Sequence, residues 1–227
     1  MQKFNLLGTA EKLTRDVAVR KTKDRESAKF LALKFGFEYF DGTRDQGYGG
    51  YAYDGRWVAV ARRIIDRFDL LEGARVLDVG CAKGFLMHDL KTIRPDIEVK
   101  GIDISEYAKI NAVPTVKDDI ILGSCVSLPF PNDYFDASLS INTIHNMDFA
   151  GTKVALQELM RVTKNKNKIF IQVDAYTNKK ELEIFKEWVL TAKTYLRPVE
   201  WEEMFNQLGY EGDYFWTIIG FEEILNS

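Results

Sequence analysis

The stretch "VLDVGCAKGF", Val76 to Phe85, constrains the fold more tightly than any other part of the chain. An apolar, β-rich run passes through small residues and directly into a helical pattern, so a strand end, a tight loop and a helix N-terminus must share a few residues. Gly80, Ala82 and Gly84 leave room for backbone N–H groups to approach a ligand there, and the helix dipole favours anionic groups at the same place. Asp103, in "GIDIS", follows about 20 residues later, the distance at which an acidic side chain meets ribose hydroxyls in a doubly wound sheet. The two features together point to a nucleoside ligand lying across the carboxyl ends of adjacent strands.

From Arg75 onward, short β-rich runs alternate with helical patterns, as in an α/β sheet with helical crossovers. The strand candidates are "RVLDV" from Arg75, "EVKGID" from Glu98, "DIIL" from Asp119, "FDASLSI" from Phe135, "KIFIQV" from Lys168 and "DYFWTII" from Asp213, the first five forming a parallel set. Trp57, Val60, Ala61, Ile64, Ile65 and Phe68 make one apolar stripe at helical spacing. Further helices are predicted over Phe85 to Ile93, Ser105 to Ala112, Thr152 to Val162 and from Lys179, where Asn178 and Glu181 have capping-box spacing. Pro198 opens the last helix and Gly209 closes it. An arm, Asp24 to Phe35 and closed by Gly36, precedes the sheet. The reading is a doubly wound, mostly parallel α/β sheet with helices on both faces, residues 57–227, preceded by a helical arm and a Gly/Tyr-rich cover segment, residues 1–56.

Composition narrows the function. A chain of 227 residues with 46% hydrophobic content fits one domain with a full-sized core. A net charge of −3 argues against a nucleic-acid partner, and "RKTKDR" at Arg20 to Arg25 reads as a solvated helix start. No apolar run reaches membrane-spanning length and "MQKFNLLGTAEK" lacks the apolar stretch of a secretion signal, so a cytoplasmic protein without a membrane partner is expected. Cys81 and Cys125 make neither a disulfide framework nor a zinc site, and both are expected reduced.

The segment resembles a family, the class I S-adenosylmethionine-dependent methyltransferases. "LDVGCAKG" resembles that family's first motif, "GIDIS" its second, and "GSCVSLPFPNDYFDASLSINTIHN" its third and fourth strands with an "LPF…FD" signature. The resemblance implies a Rossmann-like fold and S-adenosyl-L-methionine as cofactor, with S-adenosyl-L-homocysteine as product and no metal. It implies that Asp78 and Gly80 lie at the methionyl end, that Asp103, followed by Ile104, binds the ribose hydroxyls, and that Ser124 with Cys125 borders the adenine. Asn142 approaches the methionine or the acceptor. The chain departs from the family in carrying Ser124 where an acid meets the adenine amino group, and the family's final antiparallel strand is expected to be short or missing.

The rival for such a fold is a nicotinamide-dependent oxidoreductase. A dinucleotide loop requires G-x-G-x-x-G, whereas Ala82 and Phe85 occupy its second and third glycine positions, and Phe85 obstructs the close packing that the third allows. A second rival is a cofactor-binding partner domain without turnover.

"GYGGYAYDGRW", Gly47 to Trp57, lies where this family's members cover cofactor and acceptor. Tyr48, Tyr51, Tyr53 and Arg56 are its candidate substrate-binding residues. Tyr51 and Tyr53 share one face of an extended run, suited either to a sulfonium cation or to core packing. Arg56, in the first turn of the following helix, faces the positive end of a dipole and calls for an anionic partner: Asp54 or another carboxylate, the cofactor carboxylate, or an anionic acceptor. His145 is placed to take a proton from an acceptor hydroxyl or, alternatively, to be hydrogen-bonded at a strand end. Asp174, in "VDAY" with Tyr176, orients His145, binds the acceptor, or caps the next helix. Trp188, Trp201 and Trp216 read as packing residues, and Arg44 as a solvated charge. The arm and cover resemble small bacterial methyltransferases of carbohydrate and surface-polysaccharide tailoring. The expected reaction is therefore methyl transfer, by O-methylation, to a small polar, anionic acceptor, either a phosphorylated or phosphoramidate metabolite or a sugar-type precursor of surface polysaccharide, by a monomer or homodimer.

Overall fold

All six strands expected from the sequence form, and they lie in one sheet with a seventh. The structure is a computed structural model and describes residues 1–8 and 24–218. Of the basic run 20–25, only Asp24 and Arg25 are described, and Ile219 at the end of "DYFWTII" lies outside the described residues, as does everything after it. The strands are β1 (Gln2–Lys3), β2 (Arg75–Val79), β3 (Glu98–Asp103), β4 (Ile120–Leu122), β5 (Ala137–Ile141), β6 (Ile169–Ala175) and β7 (Asp213–Ile218). Their order is β1-β7-β6-β5-β2-β3-β4 and every neighbouring pair is parallel.

From β2 the chain builds outward to β3 and β4, then returns to lay β5, β6 and β7 on the other side. The direction of winding reverses between β2 and β5, and in such sheets a crevice opens there outside the carboxyl ends of the strands. Parallel strands covered on both faces are buried on both, which explains the nearly continuous apolar runs "IFIQV" and "RVLDV".

The helices are α1 (Arg25–Ala32), α2 (Phe37–Phe40), α3 (Val58–Phe68), α4 (Phe85–Ile93), α5 (Glu106–Ile110), α6 (Phe149–Val162), α7 (Lys179–Trp188) and α8 (Pro198–Leu208). Val60, Ala61 and Ile64 of α3, with Leu86, Met87 and Leu90 of α4, pack on the sheet face that carries Val76, Val99 and Phe170. On the other face, Leu156 and Leu159 of α6 and Trp201 and Phe205 of α8 meet Leu77, Val79, Ile169, Ile171 and Val173. Val76 against Leu77, and Phe170 against Ile171, show the period-two alternation that divides one strand between two cores.

Helix ends follow local chemistry. The Asp148 carboxylate accepts from Gly151 N at 2.8 Å and starts α6 before Thr152, where periodicity alone had put it. Asn178 Oδ1 accepts from Glu181 N at 3.0 Å to open α7, while the Glu181 carboxylate turns to Thr177 N at 2.6 Å. Gly209, at φ +68°, closes α8. The arm is not one helix to Phe35: α1 stops at Ala32, Phe35 adopts φ +49°, and α2 follows Gly36. The first residues also depart from a separate arm. Gln2 and Lys3 pair with β7, and Leu6 and Leu7 are buried with α3. Arg67 of α3 fastens this edge, donating to Asp213 Oδ2 at 2.7 Å and Gln2 Oε1 at 2.9 Å.

The turn out of β2 permits no side chain at Gly80. Its φ is +81°, and a Cβ there would lie 2.0 Å from Thr143 Oγ1 and 2.7 Å from Thr143 Cβ. Gly80→Ala is therefore expected to cost about 2 kcal/mol or more, from the left-handed backbone and the displaced turn after β5. Thermal unfolding measures it; an unchanged melting temperature would contradict the close approach of the two loops.

Candidate functional site

A cavity of about 290 Å³ lies at the winding reversal. Its floor is the carboxyl ends of β2, β3, β4 and β5, which bring Asp78, Gly80, Ala82, Asp103, Ile104, Ser124, Cys125 and Asn142 to its wall. His145 and Asp174 line one side, and Tyr48, Tyr51 and Arg56 line the roof. Three residues singled out from the sequence lie elsewhere. Gly84, at φ +75°, serves the turn into α4, where an added Cβ would sit 2.7 Å from Val116 Cγ2. Tyr53 is 44% exposed and donates its hydroxyl to Asp89 Oδ1 at 2.5 Å on the outer side of α4. Tyr176, just past β6, is outside the lining.

The loop after β2 is not the free anion cradle that its small residues suggest. Gly80 N and Cys81 N donate to Ile102 O at 2.8 and 3.4 Å, and Gly84 N donates to Cys81 O at 2.9 Å. Ala82 N, at φ +49°, donates to Asp103 Oδ2 at 2.8 Å, while Ser105 N donates to Asp103 Oδ1 at 2.8 Å. A carboxylate has about four accepting positions, so with the Ile104 amide also drawing on it Asp103 keeps some accepting capacity for a ligand. The consequence is chemical: a pyrophosphate at this loop would meet a carboxylate and amides already bonded, whereas diol hydroxyls would meet lone pairs.

Burial pushes the Asp103 carboxyl above its ordinary value, against the three amides, of Ser105, Ala82 and Ile104, that stabilise its charge. Asp78, 5% exposed, is pushed up to about 7, first by burial and then by Asp103. Two neighbouring carboxyls without a cation form a place that a positive group would stabilise. Cys81 and Cys125 are free thiols, and burial raises both, Cys125 to about 11.

The roof is fastened to that loop by one buried ion pair. Lys83, inside "GCAKG", donates from Nζ to both oxygens of Asp41 at 2.8 and 2.6 Å and to Tyr51 O at 2.9 Å. Asp41 also accepts from Tyr107 Oη at 2.7 Å and Tyr51 N at 3.0 Å. Burial pushes the Asp41 carboxyl up, but Lys83, Tyr107 and Tyr51 outweigh it and hold it below the ordinary range. Around this hub Tyr48 and Tyr51 pack at 4.5 Å between ring centroids, and Tyr51 stacks on Phe85 at 4.9 Å. Phe85, which obstructs a dinucleotide loop, is here the seat of the cover.

Arg56 precedes α3 instead of lying in its first turn, and the carboxylate beside it is Asp54, to which Nε donates at 2.8 and 2.9 Å. Arg44 is part of the roof and not a solvated surface charge: it donates to Gly47 O at 2.8 Å and lies 5.0 Å over the Trp188 ring. Trp188 and Leu190 bring the end of α7 into the wall, while Trp201 and Trp216 are core residues. Arg25 of α1 donates to the carbonyls of Lys186, Glu187 and Val189, tying the arm to the C-terminus of α7.

At the far side, His145 Nδ1 accepts from Asp174 N at 3.1 Å and Nε2 lies 3.5 Å from Asp174 Oδ2. In the neutral ring that bond places the proton on Nε2, facing the carboxylate. The Nδ1 lone pair is therefore occupied, and the Asp174 carboxylate lies on the Nε2 side of the ring. Asn142, at φ +52°, accepts on Oδ1 from Thr217 Oγ1 at 3.2 Å.

Sequence reasoning passed over Asp41, Lys83, Tyr107 and Asn146. A lysine between glycines in a nucleotide-type loop was the one available signal, and its partner 42 residues away in sequence had none.

Residues 77–171 match the family described as a methyltransferase domain. The chain is 30% identical over 159 residues to a demethylmenaquinone methyltransferase of Symbiobacterium thermophilum, across 65% of this chain and 60% of that protein. It is 26% identical to the tRNA (carboxymethyluridine(34)-5-O)-methyltransferase of Arabidopsis thaliana, across 58% of this chain and 31% of that one. The chain thus spans less than two thirds of the length of these relatives. Its fold is similar to a chain from the structure of the Haloferax volcanii Trm112 methyltransferase activator complex. That likeness has a TM-score of 0.56 and 20% identity, and covers 83% of this chain and 76% of the other.

The raised Asp78 carboxyl has a measurable consequence. Below its ordinary value of 3.8 the group is protonated folded or unfolded and costs nothing; the penalty grows as pH rises to about 7 and is constant above. Asp78→Asn should therefore raise the melting temperature of the ligand-free protein more at pH 8 than at pH 5. At pH 8 the gain is on the order of a few kcal/mol, at about 1.36 kcal/mol per pKa unit. An equal gain at both pH values would contradict the assignment.

Proposed function

We propose that this chain, which carries a class I S-adenosylmethionine-dependent methyltransferase domain, transfers a methyl group to an oxygen of a small, hydroxyl-bearing acceptor. The observation that carries the cofactor side is the Ala82 N to Asp103 bond of 2.8 Å, which engages the loop amide and sets the Asp103 carboxylate in the cavity wall. Such a site suits ribose hydroxyls and, beside Asp78, a cationic group; it does not suit the pyrophosphate of a nicotinamide dinucleotide. S-adenosylmethionine, when bound, supplies an electrophilic methyl on a sulfonium whose sulfur leaves as a neutral thioether.

The remaining work falls to the protein's own residues. Asp103 and Asp78 hold the ribose and methionyl ends, while Ser124 and Cys125 border the base. The roof built on Lys83 and Asp41 excludes water and aligns the reactants, the main need of an in-line displacement. Asp174 accepts the proton of the acceptor hydroxyl through its carboxylate, and His145, by its Nε2–H and its bond to Asp174 N, positions that carboxylate. Asp174 beside the reacting oxygen favours a neutral hydroxyl over a phosphate there; an anionic portion of the acceptor would extend toward Arg44 and Arg56. A sugar-type acceptor of the kind used in carbohydrate and surface-polysaccharide tailoring fits these demands. The relatives' names, demethylmenaquinone and tRNA, differ too much to choose an acceptor for this chain.

Incubation with S-adenosylmethionine and a panel of sugars, sugar nucleotides and sugar phosphates, scored by S-adenosylhomocysteine release, tests the reading. Asp174→Asn is expected to lower kcat by about 100-fold or more, and His145→Gln by less. Full turnover in Asp174→Asn would remove the carboxylate from the mechanism, and nicotinamide reduction without S-adenosylhomocysteine release would overturn the reading altogether.

A further inference from the structure

The described residues include five buried threonines, and four of them use their hydroxyls inside the protein. Thr152 Oγ1 donates to Asp148 O at 2.9 Å, Thr163 Oγ1 to Leu159 O at 2.6 Å, Thr194 Oγ1 to Met147 O at 3.0 Å and Thr217 Oγ1 to Asn142 Oδ1 at 3.2 Å. Thr191 is the exception. It is 8% exposed and lines the cavity, and its hydroxyl has no hydrogen-bond partner among the described residues. Nor is that oxygen one of the buried polar atoms sealed from solvent. The hydroxyl therefore opens onto the cavity that its residue lines.

The segment that carries Thr191 is fastened at both ends. Val189 N donates to Phe185 O at 2.8 Å as α7 closes, Val189 O accepts from Arg25 Nη2 at 3.0 Å, and Leu190 packs with Ala28, Ala32 and Tyr39. Just beyond Thr191, Lys193 N and Thr194 N donate to His145 O at 3.0 and 2.9 Å. Thr191 thus stands between the arm and the His145 turn, on the side of the cavity built after β5 and β6 and away from Asp103 and Ser124 at β3 and β4. The wall around it is largely apolar, with Ile141, Met147, Trp188, Val189 and Leu190. A hydroxyl in such surroundings depends on the bound molecule for its hydrogen bond once water is displaced.

We propose that Thr191 is a specificity-determining residue: its hydroxyl exchanges a hydrogen bond with a second hydroxyl of the acceptor, beside the one that is methylated. This rests on the methyl-transfer reading above. A threonine hydroxyl both donates and accepts, as a substrate hydroxyl does, so the two match without a charge on either side. The acceptor that this wall fits has apolar C–H faces and at least two hydroxyls, as a sugar or another polyol has. A monohydric alcohol leaves Thr191 without a partner.

The test compares the full chain with Thr191→Val, which replaces the hydroxyl by a methyl group, and with Thr191→Ser, which keeps the hydroxyl. The first readout needs no ligand. A hydroxyl that bonds nothing in the protein can be lost without harm, so Thr191→Val should melt at the temperature of the unaltered protein or above it. The second readout is S-adenosylhomocysteine release from S-adenosylmethionine with D-glucose, glucose 1-phosphate, uridine diphosphate glucose or glycerol, set against 1-propanol. At least one polyhydroxyl compound is expected to turn over, in preference to 1-propanol. For the best of them Thr191→Val should raise KM about three- to tenfold, as loss of one neutral hydrogen bond implies, with kcat changed far less. Thr191→Ser should restore most of that loss, and added S-adenosylhomocysteine should raise the melting temperature equally in all three proteins. A lower melting temperature in ligand-free Thr191→Val would give the hydroxyl a structural bond and overturn the proposal. So would an unchanged KM in Thr191→Val, an equal loss in Thr191→Ser, or a weaker response of Thr191→Val to S-adenosylhomocysteine. Turnover of no polyhydroxyl compound, or no preference over 1-propanol, while S-adenosylhomocysteine still raises the melting temperature would overturn it as well. No response to S-adenosylhomocysteine in the unaltered protein would instead overturn the methyl-transfer reading on which it rests.

Discussion

The carboxylate of Asp103 holds the carboxyl ends of two strands in one conformation. It accepts from Ala82 on the loop after β2 and from Ser105 on the turn after β3. Gly80, Ala82 and Gly84 all stand at positive φ, at +81°, +49° and +75°. A loop with three left-handed residues in close succession needs fixed hydrogen bonds to persist, and Asp103 with the Ile102 carbonyl supplies them. The same side chain lines the cavity. The order of the loop therefore depends on this side chain, and Asp78 beside it shares the cost of gathering negative charge in a buried place.

The roof depends in turn on that loop. Lys83 projects from it to Asp41, and Asp41 gathers Tyr107 and the Tyr51 amide. An ion pair with side chains 9% and 25% exposed is worth little in isolation, but breaking it leaves a charge with few alternatives. Its effect is to set the position of an aromatic layer, Phe40, Tyr48, Tyr51 and Phe85, that could otherwise pack in several ways. The glycines of "GYGGYAYDGRW" allow the chain to follow this layer: Gly47 passes so near Tyr39 that a Cβ would lie 1.9 Å from its carbonyl oxygen. The other wall is joined to the same arm through Arg25 at the end of α7, so the arm braces both sides of the cavity.

Much of this was legible in the sequence, because the information was local. The strand, loop and helix of "VLDVGCAKGF" and the acidic residue ending β3 are patterns of adjacent residues, as are the caps at Asn178 and Gly209. Sequence order also brought Ser124, Asn142, His145 and Asp174 to one sheet edge, since the first three follow strands and Asp174 lies near the carboxyl end of β6. What escaped was long-range pairing. Asp41 has no pattern that marks Lys83 as its partner, and β1 is two residues long, too short for any periodicity. The bond from Asp174 N that occupies His145 Nδ1 is a backbone contact that no residue spacing reveals. Arg56 precedes α3, so the helix dipole does not bear on it, and Asp54 is the carboxylate beside it.

The most direct test of the account is a calorimetric titration of the protein with S-adenosylhomocysteine, run beside Asp103→Ala and beside a nicotinamide dinucleotide. The account predicts saturable binding at one site per chain, lost in Asp103→Ala, with no heat from the dinucleotide. Binding that survives Asp103→Ala unchanged, or binding of the dinucleotide alone, would contradict it.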